Sequence, residues 1–402
     1  MCGLFYLTLL IMNIILFDKN RVNFYPLSFT RPISHFRIGI LTIKEKWEQY
    51  YGSVSVKTED YLSEKFPLNI KKDNIWIDAS ILPSEALVTE LNSLRSGEAL
   101  AKDGEIFAFR NTKFETNKLN IIGSNSFSNC LNNLCDIFTL NGQEISHDFD
   151  RMSLLKRTES NKKLDNITLS NVKIGDYPIW IEDGAKLQHC ILNATEGPIY
   201  IGKDAEIMEG SLIRGPFAML NNSVLKMGAK IYGATTIGPY CKVGGEVNNS
   251  VFFGYSSKSH DGFLGNSVVG EWCNLGADTN SSNLKNNYAE VKLWSYKKRS
   301  FIGTSLQFCG LIMGDHSKSA INTMFNTGTI VGVSANIFGS GFSRTFIPSF
   351  SWGGASGFSL YKLSKSFEVA ERVLARRSVK FCRLEKDILT HVYDMTKCYR
   401  NE

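Results

Sequence analysis

The chain has 402 residues, 45 Lys and Arg against 39 Asp and Glu, and a formal charge of +6. Such a length predicts roughly two or three domains. Hydrophobic residues at 43% and charged residues at 21% exclude a largely disordered chain. The positive excess is small and diffuse, which argues against a nucleic-acid partner and suits an anionic small substrate. Against only 9 Pro there are 33 Gly, and the 26 Phe and 15 Tyr favour strands joined by tight turns. Nine cysteines are scattered without a CxxC or zinc-finger spacing. They are expected to be reduced core thiols of a cytoplasmic protein, with no structural metal.

Residues Leu4 to Phe17 are almost continuously apolar. No basic residue precedes Lys19, as a secretory signal would require, and the run is shorter than the about 20 residues of a membrane span. The chain is therefore expected to start natively at Met12, with 1–11 a non-native or disordered extension. A membrane anchor is the rival, and no other membrane contact is expected.

Residues 12–165 mix buried-strand runs with helical patterns and predict an α/β domain. MNIILFD reads as a first strand ending at Asp18, followed by a loop holding Lys19 and Arg21. A helix is predicted over 38–52, carrying Ile40, Leu41, Ile43, Trp47 and Tyr50. IWIDASILPSEALVTELNSL holds a strand and then a helix opened by Pro83-Ser84-Glu85, and GEIFAFR reads as another strand.

Residues 172–340 carry a different period. From Ile201 an apolar residue recurs every six positions through Ile207, Ile213, Met219, Leu225, Ile231, Ile237 and Val243. Helices repeat at 3.6 residues and strands at 2, so a sustained six is the mark of a hexapeptide-repeat parallel β-helix. The register skips after Val243 and is expected to resume at Val251, Ser257, Phe263, Val269 and Leu275. A polar stretch from Asn283 to Arg299 interrupts it, and it returns at Ile312, Lys318, Met324 and Ile330. Three hexads make a triangular coil. About nine coils at ~4.8 Å spacing would give a prism on the order of 40–45 Å long. On an eighteen-residue coil Asp278 would lie above His260, and Ala277 above Ser259. Residues 358–402 predict a helical segment with a stripe of Leu360, Leu363, Phe367, Val369, Val373 and Leu374. It either covers the open end of the prism or binds another subunit.

Chemistry concentrates where polar residues break the repeat: Glu246, Asn248, His260, Asn274 and Asn283. A histidine is the natural general base near neutral pH, and a carboxylate beside it would orient the ring and support its cation. Asp18 is a candidate magnesium ligand, and Lys19, Arg21, Arg31 and Lys46 are either phosphate contacts or a solvated basic surface. Lys292, Lys297, Lys298 and Arg299 form a basic run that either meets coenzyme phosphates or is a solvated face.

GEVNNS, KSHDGFLGNSVVGEWCNLGADT and Asn283 resemble the acetyltransferase half of the bifunctional N-acetylglucosamine-1-phosphate uridylyltransferase/glucosamine-1-phosphate acetyltransferase family. In that family a Glu precedes the catalytic His by fourteen residues, as Glu246 precedes His260 here. The motif continues with Phe263-Leu264-Gly265, Asn274-Leu275-Gly276-Ala277 and Thr279. LFDKNRVNFYPLSFTRPISHFRIGILTIKEKW resembles an alternative bacterial branch of the same enzymes.

The resemblance implies an α/β nucleotidyltransferase-like domain fused to a left-handed parallel β-helix and a C-terminal helix. It also implies a cytoplasmic homotrimer with the acyl site between neighbouring prisms. His260 would be the base and Glu246 its orienting group. Asn248, Phe263, Asn274 and Asn283 would line the amino-sugar site, and Ala277 would offer backbone to the thioester of acetyl-CoA. Acetyl would pass to glucosamine 1-phosphate, and UTP with Mg2+ would serve the first domain to give UDP-N-acetylglucosamine, a cell-wall precursor.

Three departures stand out. The family usually has Lys at Asn248 and Tyr at Phe263, which bears on the acceptor. The Gly-rich phosphate loop expected after the first strand is replaced by Asp18-Lys19-Asn20-Arg21-Val22-Asn23. Two alternatives remain: an acyltransferase for another amino sugar or nucleotide sugar with an inactive first domain, and a non-catalytic trimeric scaffold that binds a sugar nucleotide.

Overall fold

The computed structural model describes residues 12–127, 129–157 and 170–400. The expectation for residues 1–11 lies outside them. Contacts divide the chain into two compact units. Among the described residues the first holds 12–21, 31–36 and 41–132, and the second holds 22–30, 37–40 and those from 133 onward. The last division falls at 132.

The first unit is built on a six-stranded mixed sheet in the order β2-β1-β3-β5-β4-β6. Its strands are β1 (Asn13–Phe17), β2 (Val54–Lys57), β3 (Asn74–Asp78), β4 (Glu98–Lys102), β5 (Glu105–Arg110) and β6 (Asn120–Gly123). Every residue of β1 and β3 is buried, as continuous apolar runs in central parallel strands require. β2 and β3 flank β1 in parallel, and β5 turns antiparallel against β3. The edge strand β6 is exposed along its whole length.

The helix expected over 38–52 runs only from Ile43 to Tyr51. Thr42 and Glu45 form a reciprocal capping box that fixes its start, a Thr-x-x-Glu signal present in the sequence. Residues 37–40 join the second unit instead. There the Gly39 N–H donates to Asn141 Oδ1 at 2.7 Å, and Thr236 Oγ1 donates to the Gly39 carbonyl at 2.9 Å. A Cβ on Gly39 would lie 2.7 Å from the Glu144 backbone, so glycine alone allows this approach.

The second unit is a parallel β-solenoid of three sheets with eight, nine and ten strands. Ile201, Ile207, Ile213, Met219, Leu225, Ile231, Ile237 and Val243 all point into one continuous core, none more than 2% exposed. Beyond Val243 the inward series meets the expected one at Val269 and Leu275 and differs from it elsewhere. It runs Val247, Phe252, Lys258, Leu264, Val269, Leu275 and Ser281, all nearly fully buried. Ser257 and Phe263 are their outward neighbours. Later, Met313, Ser319, Phe325 and Val331 point inward instead of Ile312, Lys318, Met324 and Ile330. The cause is a shortened coil. Ile213 pairs with Ile231 eighteen residues on, but Ile231 pairs with Val247 after sixteen and Val243 with Lys258 after fifteen.

An antiparallel hairpin, Lys292–Ser295 with Ser300–Gly303, occupies the interruption. The C-terminal segment is two helices, Leu363–Ala375 and Arg383–Met395, and not one. Ser378 sits between them in a left-handed conformation. Leu360 belongs to the preceding strand, Gly357–Leu360. The first helix buries Ser366, Ala370 and Leu374, and Ser366 Oγ donates to Ser334 Oγ of the solenoid at 3.1 Å. Small residues at this spacing let the helix approach closely. Among the described residues no helix is long and apolar enough to cross a membrane.

Candidate functional site

The carboxyl ends of β1, β2 and β3 gather polar residues, where open α/β sheets place their ligands. Asp18 follows β1 directly. Its Oδ2 accepts from Arg21 Nη1 and from Thr58 Oγ1, both at 2.5 Å, and its Oδ1 accepts from the Ile33 N–H at 2.8 Å. The Arg21 guanidinium also donates to the Arg31 carbonyl at 3.2 Å and the Tyr61 hydroxyl at 3.3 Å. Both side chains of the ion pair are 5% exposed or less. Asp18 therefore does not fit a magnesium ligand: both oxygens are engaged inside the fold, and a buried cation already neutralises it.

The expected phosphate contacts separate in the same way. Arg21, Arg31 and Lys46 are buried, and of the four only Lys19 reaches solvent. Lys19 Nζ pairs with Glu105 Oε2 at 2.9 Å and holds that carboxyl below its ordinary range.

A carboxylate not assigned from sequence lies beside them. Asp78 ends β3 in register with Phe17, the residue before Asp18. Its Oδ1 accepts from the N–H and hydroxyl of Ser80 at 2.9 and 2.8 Å. Burial pushes its pKa up to about 6, against the Ser80 hydrogen bonds and Lys19, which pull it down. The signal was available: IWID sets an acid at the carboxyl end of a wholly buried strand. Among the described residues no three His, Cys, Asp or Glu side chains are arranged to hold a metal ion.

In the solenoid, His260 occupies the corner between strands Ser257–Lys258 and Phe263–Gly265 and is exposed. The Asp278 N–H donates to the Asp261 carbonyl at 3.0 Å, so the coil here is seventeen residues long. Ala277, and not Asp278, is the residue above His260. Glu246 pairs in register with Phe263, and Asn248 with Gly265, on one outward wall past the corner. The next coil brings Asn283 to the same wall, its Nδ2 donating to Asn266 Oδ1 at 2.8 Å. The Phe263 N–H donates to Asn280 Oδ1 at 2.8 Å.

Asn274 is exposed on the strand before the corner, paired with Ser257, and so stands on a different wall. Among the described residues, neither the His260 imidazole nor the Glu246 carboxylate makes a hydrogen bond within the chain.

The residue missed by the period is Lys258. It takes an inward position, is 1% exposed, and donates from Nζ to the carbonyls of Gly244 and His260, each at 2.9 Å. Burial pushes its pKa down to about 8, with Asp261 and Asp278 acting in the opposite sense.

Residues 14–156 match the family model described as sugar nucleotidyl transferase. The chain is 30% identical over 177 residues to a bifunctional sugar-1-phosphate nucleotidylyltransferase/acetyltransferase of Sulfurisphaera tokodaii, covering 44% of this chain and 40% of that one. It is 34% identical over 87 residues to the bifunctional protein GlmU of Methanocaldococcus jannaschii, covering 22% and 21%. The match thus spans well under half the length of either relative. A solved polysialic-acid-specific acetyltransferase aligns at 10% identity over 52% of this chain and 94% of its own, with a TM-score of 0.29. Residues 14–156 are thus similar to sugar nucleotidyl transferases, and part of the chain is similar to the bifunctional nucleotidylyltransferase/acetyltransferases.

Proposed function

We propose that the chain is a transferase of sugar-nucleotide biosynthesis whose solenoid N-acetylates an amino-sugar 1-phosphate, glucosamine 1-phosphate first among candidates. The observation that carries this is the corner at His260, with backbone Ala277 above it and the wall of Glu246, Phe263, Asn248 and Asn283 beside it. His260 accepts the proton of the acceptor amine as its nitrogen attacks the acetyl-CoA thioester carbonyl. The new C–N bond forms, the C–S bond breaks, and the imidazolium returns the proton to the departing thiolate. Glu246 supports the imidazolium. Asn248 and Asn283 offer amides to sugar hydroxyls.

A homotrimer would complete the site, and two features support one. His260 and Glu246 are unengaged within the chain. The same wall continues into exposed Val172, Ile174, Leu212 and Tyr232, with Leu212 and Tyr232 lining a cavity of about 230 Å³. UTP with Mg2+ would serve the first unit, giving UDP-N-acetylglucosamine; Asp78 and Lys19 are the residues there that fit a cation and a phosphate. A second reading, an acyltransferase with an inactive first unit, is favoured by the engagement of Asp18 and by the missing glycine loop.

Incubation with acetyl-CoA, glucosamine 1-phosphate, UTP and Mg2+, with products resolved by mass, tests both. N-acetylated sugar phosphate and its uridylyl adduct are expected. Acetylation alone supports the second reading, and no acetylation contradicts the proposal.

A further inference from the structure

The corner that presents His260 is a turn of small residues and glycine. Its own coil reads Ser259-His260-Asp261-Gly262 and the coil below turns at Gly244-Gly245. Gly245 and Gly262 adopt φ of +72° and +118°, which other residues rarely reach. A Cβ on Gly262 would lie 2.3 Å from the Thr279 carbonyl oxygen, so no larger residue could brace the turn from outside. The coil beneath is also the shortened one, with fifteen residues from Val243 to Lys258.

Into this corner the fold sends a lysine from within. Its neighbours in the inward series are Val243, Val247, Phe252, Leu264, Val269 and Leu275, all apolar and buried. Burying an ammonium where a methionine would fit disfavours folding, and packing gives no reason for it. Its two hydrogen bonds give one: the Gly244 carbonyl belongs to the corner below and the His260 carbonyl to the reactive turn.

We infer that Lys258 is a positioning residue that staples the His260 turn to the coil beneath from inside the prism and so holds the imidazole at its working angle. This deepens the proposed acetyl transfer and rests on it. The groups facing the ammonium are those two carbonyls, with the Asp261 and Asp278 carboxylates at longer range. Asp261 and Gly262 accept backbone hydrogen bonds from Asp278 and Glu246 of the neighbouring coils, whereas the hydrogen bond of His260 itself, among the described residues, is the one its carbonyl accepts from Lys258.

Lys258→Met fills the same space without donors, and Lys258→Arg restores donors in a bulkier form. Acetyl transfer, thermal unfolding and the histidine side-chain NMR spectrum of the full chain are compared. The His260 resonance is identified by its loss in His260→Ala. The expected result for Lys258→Met is a melting temperature equal to or above wild type, kcat lowered at least tenfold, KM for acetyl-CoA within twofold, and a shifted or multiplied His260 resonance. Lys258→Arg should recover part of kcat if it folds. An unchanged His260 resonance, or kcat within twofold of wild type, overturns the inference. Should the wild-type chain acetylate no acceptor, the acetyl-transfer proposal fails by itself, and the imidazole resonance alone decides whether Lys258 positions it.

Discussion

Arg21 Nη1 meets Asp18 Oδ2 at 2.5 Å in a pair that solvent barely touches. The loop that replaces a glycine-rich phosphate cradle is therefore closed on itself by an i,i+3 ion pair. Arg21→Ala would strand a buried carboxylate. It should destabilise the first unit by about 3–5 kcal/mol, read as a lowered urea midpoint, while Asp18→Asn with Arg21→Met should lose much less. Full stability of Arg21→Ala would mean that the guanidinium is free to serve a phosphate.

Asp78 gives a pH signature. Its folded pKa of about 6 lies above the ordinary carboxylate value, so the native state binds more protons than the unfolded chain across that gap. Its contribution therefore falls as pH rises from about 4 to about 6 and stays low above. Asp78→Asn should gain about 1–3 kcal/mol at pH 7 and almost nothing at pH 4. If Asp78 holds a cation, added Mg2+ should stabilise wild type at pH 7 and leave the variant unmoved. A gain independent of pH would contradict the burial argument.

The second titration has the opposite sense. Lys258 is pushed down to about 8 by burial, so between about 8 and about 10.4 the unfolded chain binds the extra proton. Its contribution to stability rises with pH through that window. Lys258→Met should remove the rise, measured by urea unfolding at pH 7.5 and pH 10. Parallel curves for the two proteins would show that the ammonium is solvated.

The hexad made the solenoid legible because an inward apolar residue at every sixth position has few other physical solutions. The period failed just where function is proposed. Shortened coils after Val243 moved the inward residue by one at Phe252, Lys258 and Leu264 before the series rejoined the expected one at Val269, so both Ser257-Lys258 and Phe263-Leu264 offered two candidates for one slot. A rule seeking apolar inward residues cannot choose Lys258, because its hydrogen bonds to Gly244 and His260 arise only after the coils stack. The motif at His260 was visible in chain order, whereas the residue above it depends on coil length and came out as Ala277. In the first unit, a basic residue near Asp18 looks the same in sequence whether it faces phosphate or the aspartate three positions before it. Asp78 is legible as the acid that ends the wholly buried run IWID.

Assembly is testable on the outward wall. Leu212 and Tyr232 are exposed at 46% and 42% beside the same small cavity. Light scattering should give about three times the 45.1 kDa chain mass. Leu212→Glu with Tyr232→Glu should give monomers that have lost acetyl transfer. A monomeric wild type at micromolar concentration would contradict a shared site.

The most direct test is His260→Ala, with kcat for acetyl transfer and melting temperature measured together. His260 is exposed at a corner and outside the inward ladder, so its removal should leave the melting temperature unchanged. Loss of a general base should lower kcat by about 10²–10⁴, and the wild-type rate should fall at low pH as the base takes up a proton. Near-wild-type kcat in His260→Ala, on an acceptor that the native chain acetylates, would contradict the account and move the non-catalytic scaffold ahead.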